Sequence, residues 1–169
     1  MSGRDVNLAA ALGLALVDRL AEAAAPAGGT TAAEALVTLH ARAAGRSIDA
    51  LARVVALSHS GTVRLADRLV AAGLAERRPG ADQRSTALHL TPAGRRTARQ
   101  VLRRREAAVQ SVLALLTDDQ WRQLADVAAA VLARLGAAPD AERRICRLCD
   151  LEACGRSRGE CPVAPRRRR

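Results

Sequence analysis

Apolar residues recur at helical spacing along most of this chain. Leu8, Leu12, Leu16 and Leu20 fall four apart, with Val17 beside them, and predict a first helix over 6–25. Pro26 to Gly29 interrupt it. Thr31 and Glu34 have the spacing of a capping box and predict a second helix to about residue 44, with Leu36, Leu39 and Ala43 inward. His40, on its outer side, is given no role. Gly45 ends that helix, and Ser47 caps a short third one carrying Ile48, Leu51 and Val55.

The stretch 57–73 predicts a fourth helix. Ser58 is placed to accept a backbone N–H of its first turn, and Gly73 suits the left-handed residue that ends a helix. Val63, Ala66, Leu69 and Val70 form its inward stripe, leaving Ser58, His59, Ser60, Gly61, Thr62, Arg64 and Arg68 for its start and outer face. Residues 74–78 and 86–90 are short extended segments, separated by the turn formers Pro79, Gly80 and Asp82. Thr91 caps the next helix, and Pro92 occupies its first position, where a missing N–H costs nothing. That helix runs to about residue 116. Thr117 and Gln120 form a further capping box, after which Trp121, Leu124, Ala128, Val131 and Leu135 line one side of a last long helix.

Two short helices joined by a tight turn form a helix-turn-helix unit, and a hairpin directly behind the second makes it a winged one. The fold class is therefore mostly α: a winged helix-turn-helix with a two-stranded wing and long N- and C-terminal dimerisation helices. The pattern divides the chain into N-terminal helices (1–45), a DNA-binding region (46–94), C-terminal dimerisation helices (95–138) and a cysteine-rich segment with a basic tail (139–169). The apolar content of the first and last helices exceeds what a small winged domain covers, so a second copy of the chain is the expected partner.

Composition sharpens this picture through charge. The formal net charge is +10, every basic residue being arginine. Residues 46–105 alone carry +9, whereas 1–45 carry −1, 106–145 carry −2 and 146–169 carry +4. Compositional bias would spread arginine evenly. Its concentration around the fourth helix favours a polyanionic partner. Trp121 is the only aromatic residue, which leaves little with which to stack single-stranded bases, so duplex DNA is the expected polyanion. No apolar run is long enough to span a membrane and no cleavable leader is visible; a cytoplasmic location is expected.

The stretch 51–94 resembles the signature of the multiple antibiotic resistance regulator (MarR) family of winged helix-turn-helix transcription factors. The carrying pieces are VRLADRLVAAGLAERR, the wing tip Asp82-Gln83-Arg84, and Leu90-Thr91-Pro92-Ala93-Gly94. The resemblance spans roughly 5–136 and implies a homodimer that meets a pseudo-palindromic operator with two recognition helices and two wings. It implies that Arg84 reaches the minor groove, oriented by Asp82. Gly61 departs from the pattern, which more often has Ser, Thr or Ala there. On chemical grounds Ser60, Thr62 and Arg64 suit base edges, while Arg68, Arg77 and Arg78 suit phosphates.

All four cysteines lie within 16 residues, as Cys146-x2-Cys149-x4-Cys154-x6-Cys161. In a cytosolic protein such clustering points to a metal rather than to disulfides. Thiolates suit Zn²⁺ in a tetrahedral shell, or an iron–sulfur cluster such as [4Fe-4S]; a pair of redox thiols is the remaining reading. No phosphate loop and no nucleophile with a partnered base is present, so an enzyme is not expected. The reading is a DNA-binding repressor, homodimeric, whose affinity is modulated through the four-cysteine metal or redox site, with a small-molecule or redox effector. The alternative is a redox or metal-sensing interaction module whose basic surface binds an acidic protein.

Overall fold

In a computed structural model, described here over residues 2–41, 45–80 and 86–164, the chain is mostly helical with one small sheet. Helix α1 spans Gly3–Ala23 and begins in a capping box, Ser2 accepting from the Asp5 amide and Asp5 from the Ser2 amide. A 3₁₀ turn at Ala25–Ala27 follows, and Gly28 and Gly29, both at positive φ, lead into α2 (Thr30–His40). Gly29, not Thr31, occupies the N-cap of α2, and no side chain caps it. Glu34 is nearly buried and turns to a distant arginine, Arg147, so the expected Thr31–Glu34 capping box does not form.

Strand β1 (Arg46–Ser47) is too short to leave a periodic signal; it pairs antiparallel with β3. Helices α3 (Ile48–Val55) and α4 (His59–Ala71) follow, capped by Ser47 and Ser58 as expected. Between them Ala56 sits at φ +53, the left-handed conformation that turns the chain sharply. Strands β2 (Ala75–Pro79) and β3 (Thr86–Leu90) form the hairpin, in sheet order β1-β3-β2, with Arg77 opposite Leu88. Helix α5 covers Pro92–Leu113, ending earlier than the apolar pattern implies: Ala114 caps it and Leu115 points into solvent. Helices α6 (Asp118–Gly136) and α7 (Ala141–Ile145) complete the helical order. The Thr117–Gln120 capping box is present.

One core joins Leu36 and Leu39 of α2, Leu51 and Val55 of α3, Leu65 and Leu69 of α4, Leu88 and Leu90 of β3, and Ala98 and Val101 of α5. It holds the two helices of the helix-turn-helix against the start of α5. No residue of α6 is buried, and Leu8, Leu12, Val17, Trp121, Val127, Val131 and Leu135 stand exposed on α1 and α6.

Candidate nucleic-acid interface and cysteine cluster

The orientation of α4 is fixed at both ends. The Ser58 hydroxyl accepts the Gly61 amide at 3.1 Å, and the Leu74 amide donates to Leu69 O at 2.9 Å beyond Gly73, whose φ is +67. Thr91 then locks this helix to α5. Its hydroxyl donates to Gly73 O at 2.7 Å and accepts from the Gly94 amide at 3.1 Å, so one side chain serves both helices.

The inward face of α4 is Thr62, Leu65, Ala66 and Leu69. This corrects the expected phase by one residue: Thr62 is fully buried, and Val70 is exposed. A hydroxyl is tolerated there because Thr62 Oγ1 donates to Ser58 O at 2.9 Å. Thr62 therefore offers nothing to a base edge. Ser60, Arg64 and Arg68 remain exposed on the outer face, and Gly61 is half-buried at its start. His59 is exposed, with Nδ1 2.7 Å from Asp49 Oδ1, an ion pair across the helix-turn-helix when the imidazole is protonated.

On the wing, Arg77 donates to Asp67 of α4 at 2.7 Å, and Arg78 to Glu76 at 2.5 Å. Sequence reasoning missed both partners. The sign of each acidic neighbour was visible, but only the hairpin's placement beside α4 brings Asp67 to Arg77. Arg84, with Asp82 and Gln83, lies outside the described residues, as do Arg166 to Arg169. Ser58, Ser60, Arg64 and Arg68 thus stand exposed at the start and outer face of α4, with Arg77 beside that helix through Asp67, while Arg78 and Glu76 lie on the other face of β2.

The cysteine segment folds back on the helix-turn-helix core. Leu148 packs against that core, α7 lies on α3, and Arg147 Nε donates to Glu34 Oε1 of α2 at 2.6 Å. Arg156 pairs with Glu142 of α7. At the far end Val163 meets Gly136, where a Cβ would stand 2.8 Å from Val163 Cγ1. The segment therefore bridges α2 and α3 to the end of α6, rather than lying along the long helices alone.

Within it, Cys161 is buried and Cys146, Cys149 and Cys154 are half-buried, and the Cys149 thiol donates to Ile145 O at 3.9 Å. The neighbouring Cys149, then burial, raises the Cys146 thiol strongly, while Cys146, helped by Arg105 and Arg147 against burial, lowers the Cys149 thiol to about 6. Burial, then the Cys161 thiol, pushes Cys154 up to about 11. Among the described residues no group of three or more histidine, cysteine, aspartate or glutamate side chains is placed to hold a metal ion.

Beside this segment lies a cavity of about 450 Å³ lined by His40, Arg99, Leu102, Arg103, Cys149 and Leu151, among others. His40 Nδ1 is buried with no hydrogen-bond partner among the described residues. Burial, and then Arg99, hold its imidazole below the ordinary value.

Comparison with solved structures gives similarity across most of the chain. MarR from Escherichia coli, in its apo form, is 25% identical, with 75% of this chain and 95% of that one covered and a TM-score of 0.61. A MarR-family protein of Mycobacterium tuberculosis in complex with DNA is 24% identical over 74% and 94%, with a TM-score of 0.60. The YusO protein of Bacillus subtilis is 23% identical over 78% and 97%, with a TM-score of 0.64. The fold is that of the MarR regulators. No family model and no curated protein matches the chain. A MarR-family transcriptional regulator of Rhodococcus is 22% identical over 78% of this chain and 94% of that one, with a TM-score of 0.59. Among the described residues no helix is long and apolar enough to cross a membrane.

Proposed function

We propose that the chain is a sequence-specific, double-stranded DNA-binding transcriptional regulator that acts as a homodimeric repressor on a pseudo-palindromic operator. The observation that carries this reading is the outer face of α4 with the wing beside it. A helix capped at its start and locked at its end exposes Ser60, Arg64 and Arg68, with Arg77 of the wing held alongside by Asp67. Arg64 is long enough for a bidentate contact to guanine, while Arg68, Arg77 and Arg78 meet phosphates once Asp67 and Glu76 yield them. A MarR-fold neighbour in complex with DNA supports the same use of the fold.

Dimerisation is supported by the uncovered apolar positions of α1 and α6. Leu8 and Val17 are 54% and 58% exposed, and Val127 and Leu135 are 61% and 56% exposed, which one chain has no means to cover. The four-cysteine segment is the proposed regulatory element: it carries a metal or redox state and touches the core that braces α4.

Footprinting on duplex DNA tests the reading. Selective protection of an inverted repeat, with two chains per site by sedimentation, is expected. Salt-dependent binding to every duplex alike, in the absence of any protected repeat, contradicts it.

A further inference from the structure

We propose that Asp49 is a positioning residue of the DNA interface that acts through His59. Its carboxylate fixes the imidazole with the proton on Nδ1, so that Nε2 is left as a hydrogen-bond acceptor and reads the exocyclic amine of adenine or cytosine in the major groove. The inference rests on the reading of the chain as a sequence-specific DNA-binding regulator and names one contact of that interface.

His59 is the first residue of α4, and a helix that enters the major groove contacts base edges from its N-terminal residues. Asp49 stands in the first turn of α3. His59 Nδ1 lies 2.7 Å from Asp49 Oδ1, a bond that spans the turn at Ala56 and ties the starts of the two helices together. Both side chains are open to solvent, His59 at 66% and Asp49 at 69%, so the bond adds little to stability. What it sets is the direction and the proton of an accessible ring.

A carboxylate only accepts, so the proton of this bond is the imidazole's own, on Nδ1. Neutral imidazole carries one N–H, and Nε2, on the far side of the ring, then holds a lone pair. An unheld ring exchanges its proton between the two nitrogens and offers either a donor or an acceptor to what it meets. In the major groove the groups that donate are the N6 amine of adenine and the N4 amine of cytosine. Guanine N7 and O6 and thymine O4 accept, and so meet the lone pair with one of their own. Holding the tautomer therefore adds a contact to two bases and a repulsion against the other two.

The other side chains at the start of α4 are already committed. Ser58 Oγ accepts the Gly61 amide at 3.1 Å and lies 3.2 Å from Ser60 Oγ. Thr62 is turned inward, its hydroxyl donating to Ser58 O. Gly61 has no side chain to offer. Among the described residues His59 Nε2 makes no hydrogen bond. Within 58–62 the imidazole is thus the group that a second helix holds in place while its far atom stays open.

The experiment uses the full chain at pH 8, where imidazole is the neutral base. Randomised duplexes selected for binding and sequenced should show, in each half-site, one base pair at which adenine or cytosine on one strand is favoured over guanine and thymine. The expected preference is about five- to tenfold, the worth of one hydrogen bond. His59→Ala and Asp49→Ala should each lose this preference and keep those at the other positions. Asp49→Asn, an isostere whose amide partners either tautomer, should lose it as well and guards against a loss of fold in Asp49→Ala. Where the selected base is adenine, a purine lacking the 6-amino group should weaken wild-type binding about five- to tenfold and leave the variants unmoved. Imidazole ¹⁵N shifts of the free protein give a readout that a merely structural role leaves still: Nδ1–H in the wild type, a mixture of tautomers in Asp49→Ala. An unchanged base preference in His59→Ala or in both Asp49 variants overturns the assignment, as does an Nε2–H tautomer in the wild type. A wild-type chain that protects no repeat removes the DNA-binding reading itself; a protected repeat whose base preferences ignore both residues removes this contact alone.

Discussion

Arg147 donates from Nε to Glu34 Oε1 at 2.6 Å, across 113 residues of sequence, and so ties the cysteine segment to the middle of α2. The Glu34 side chain is 9% exposed and that of Arg147 43%. Removing the arginine leaves a nearly buried carboxylate without its cation. Arg147→Ala should therefore cost about 1–3 kcal/mol in denaturant titration, the open side of Arg147 keeping the loss below that of a fully buried pair. Glu34→Gln, which keeps a hydrogen-bond acceptor and removes the buried charge, should cost less.

Gly94 lies in the first turn of α5 against the backbone of Leu74, where an added Cβ would fall 1.9 Å from Leu74 O. That carbonyl also accepts the Thr91 amide at 3.1 Å, so it is not free to retreat. Gly94→Ala should destabilise the chain by about 1–3 kcal/mol or more, read as a lowered thermal midpoint.

Thr62 and Arg64 are two residues apart yet differ in kind. Thr62→Val keeps the buried shape and loses the bond to Ser58 O, so stability should fall by about 1 kcal/mol with operator preference intact. Arg64→Ala should leave stability unchanged and weaken operator binding by about 1–3 kcal/mol, while binding to random duplex is spared. Parallel denaturation and gel-shift measurements separate the two.

Arg78 is held by Glu76, so the phosphate contact proposed for it competes with an internal ion pair. Arg78→Ala should weaken operator and random duplex alike and lower the salt slope by about 1. Glu76→Gln should act in the opposite direction, strengthening binding to random duplex at fixed salt.

His40 resists protonation in the folded chain because of its burial and the neighbouring Arg99 and Arg95, with Asp150 opposing. The unfolded chain takes up that proton near the ordinary imidazole value of about 6.5, and the folded one only at lower pH. Stability contributed by neutral His40 is thus present above this value and lost as pH falls below it. Urea midpoints measured between about pH 7.5 and 5.5 should decline, and His40→Gln should flatten the decline.

The elements whose signals are local were legible in the sequence. Ser47, Ser58, Thr91 and Thr117 cap the helices they were expected to cap, because each needs only backbone groups within one turn. The hairpin strands likewise fall within one residue of their expected bounds. Long-range competition erased other signals. Thr31 and Glu34 have capping spacing, but Glu34 finds Arg147, and glycine takes the cap. The phase of α4 shifts by one residue because a threonine at its first inner position reads as polar until its hydroxyl is seen to bond Ser58 O. The spacing of the cysteines announced a cluster. That the segment docks on α2 and α3 depended on Leu148 and Arg147, which nothing local distinguishes from their neighbours.

The joint at Thr91 and Gly94 makes α4 and α5 one rigid lever. Helix α5 has 22 residues, about 33 Å at 1.5 Å per residue, and its near end is pinned to Gly73 and Leu74. A tilt of only about 5° displaces the tip of such a rod by about 3 Å, close to the roughly 3.4 Å rise of one base pair. The direction in which α4 presents its outer face is then set at this elbow, by a hydroxyl and a missing methyl group.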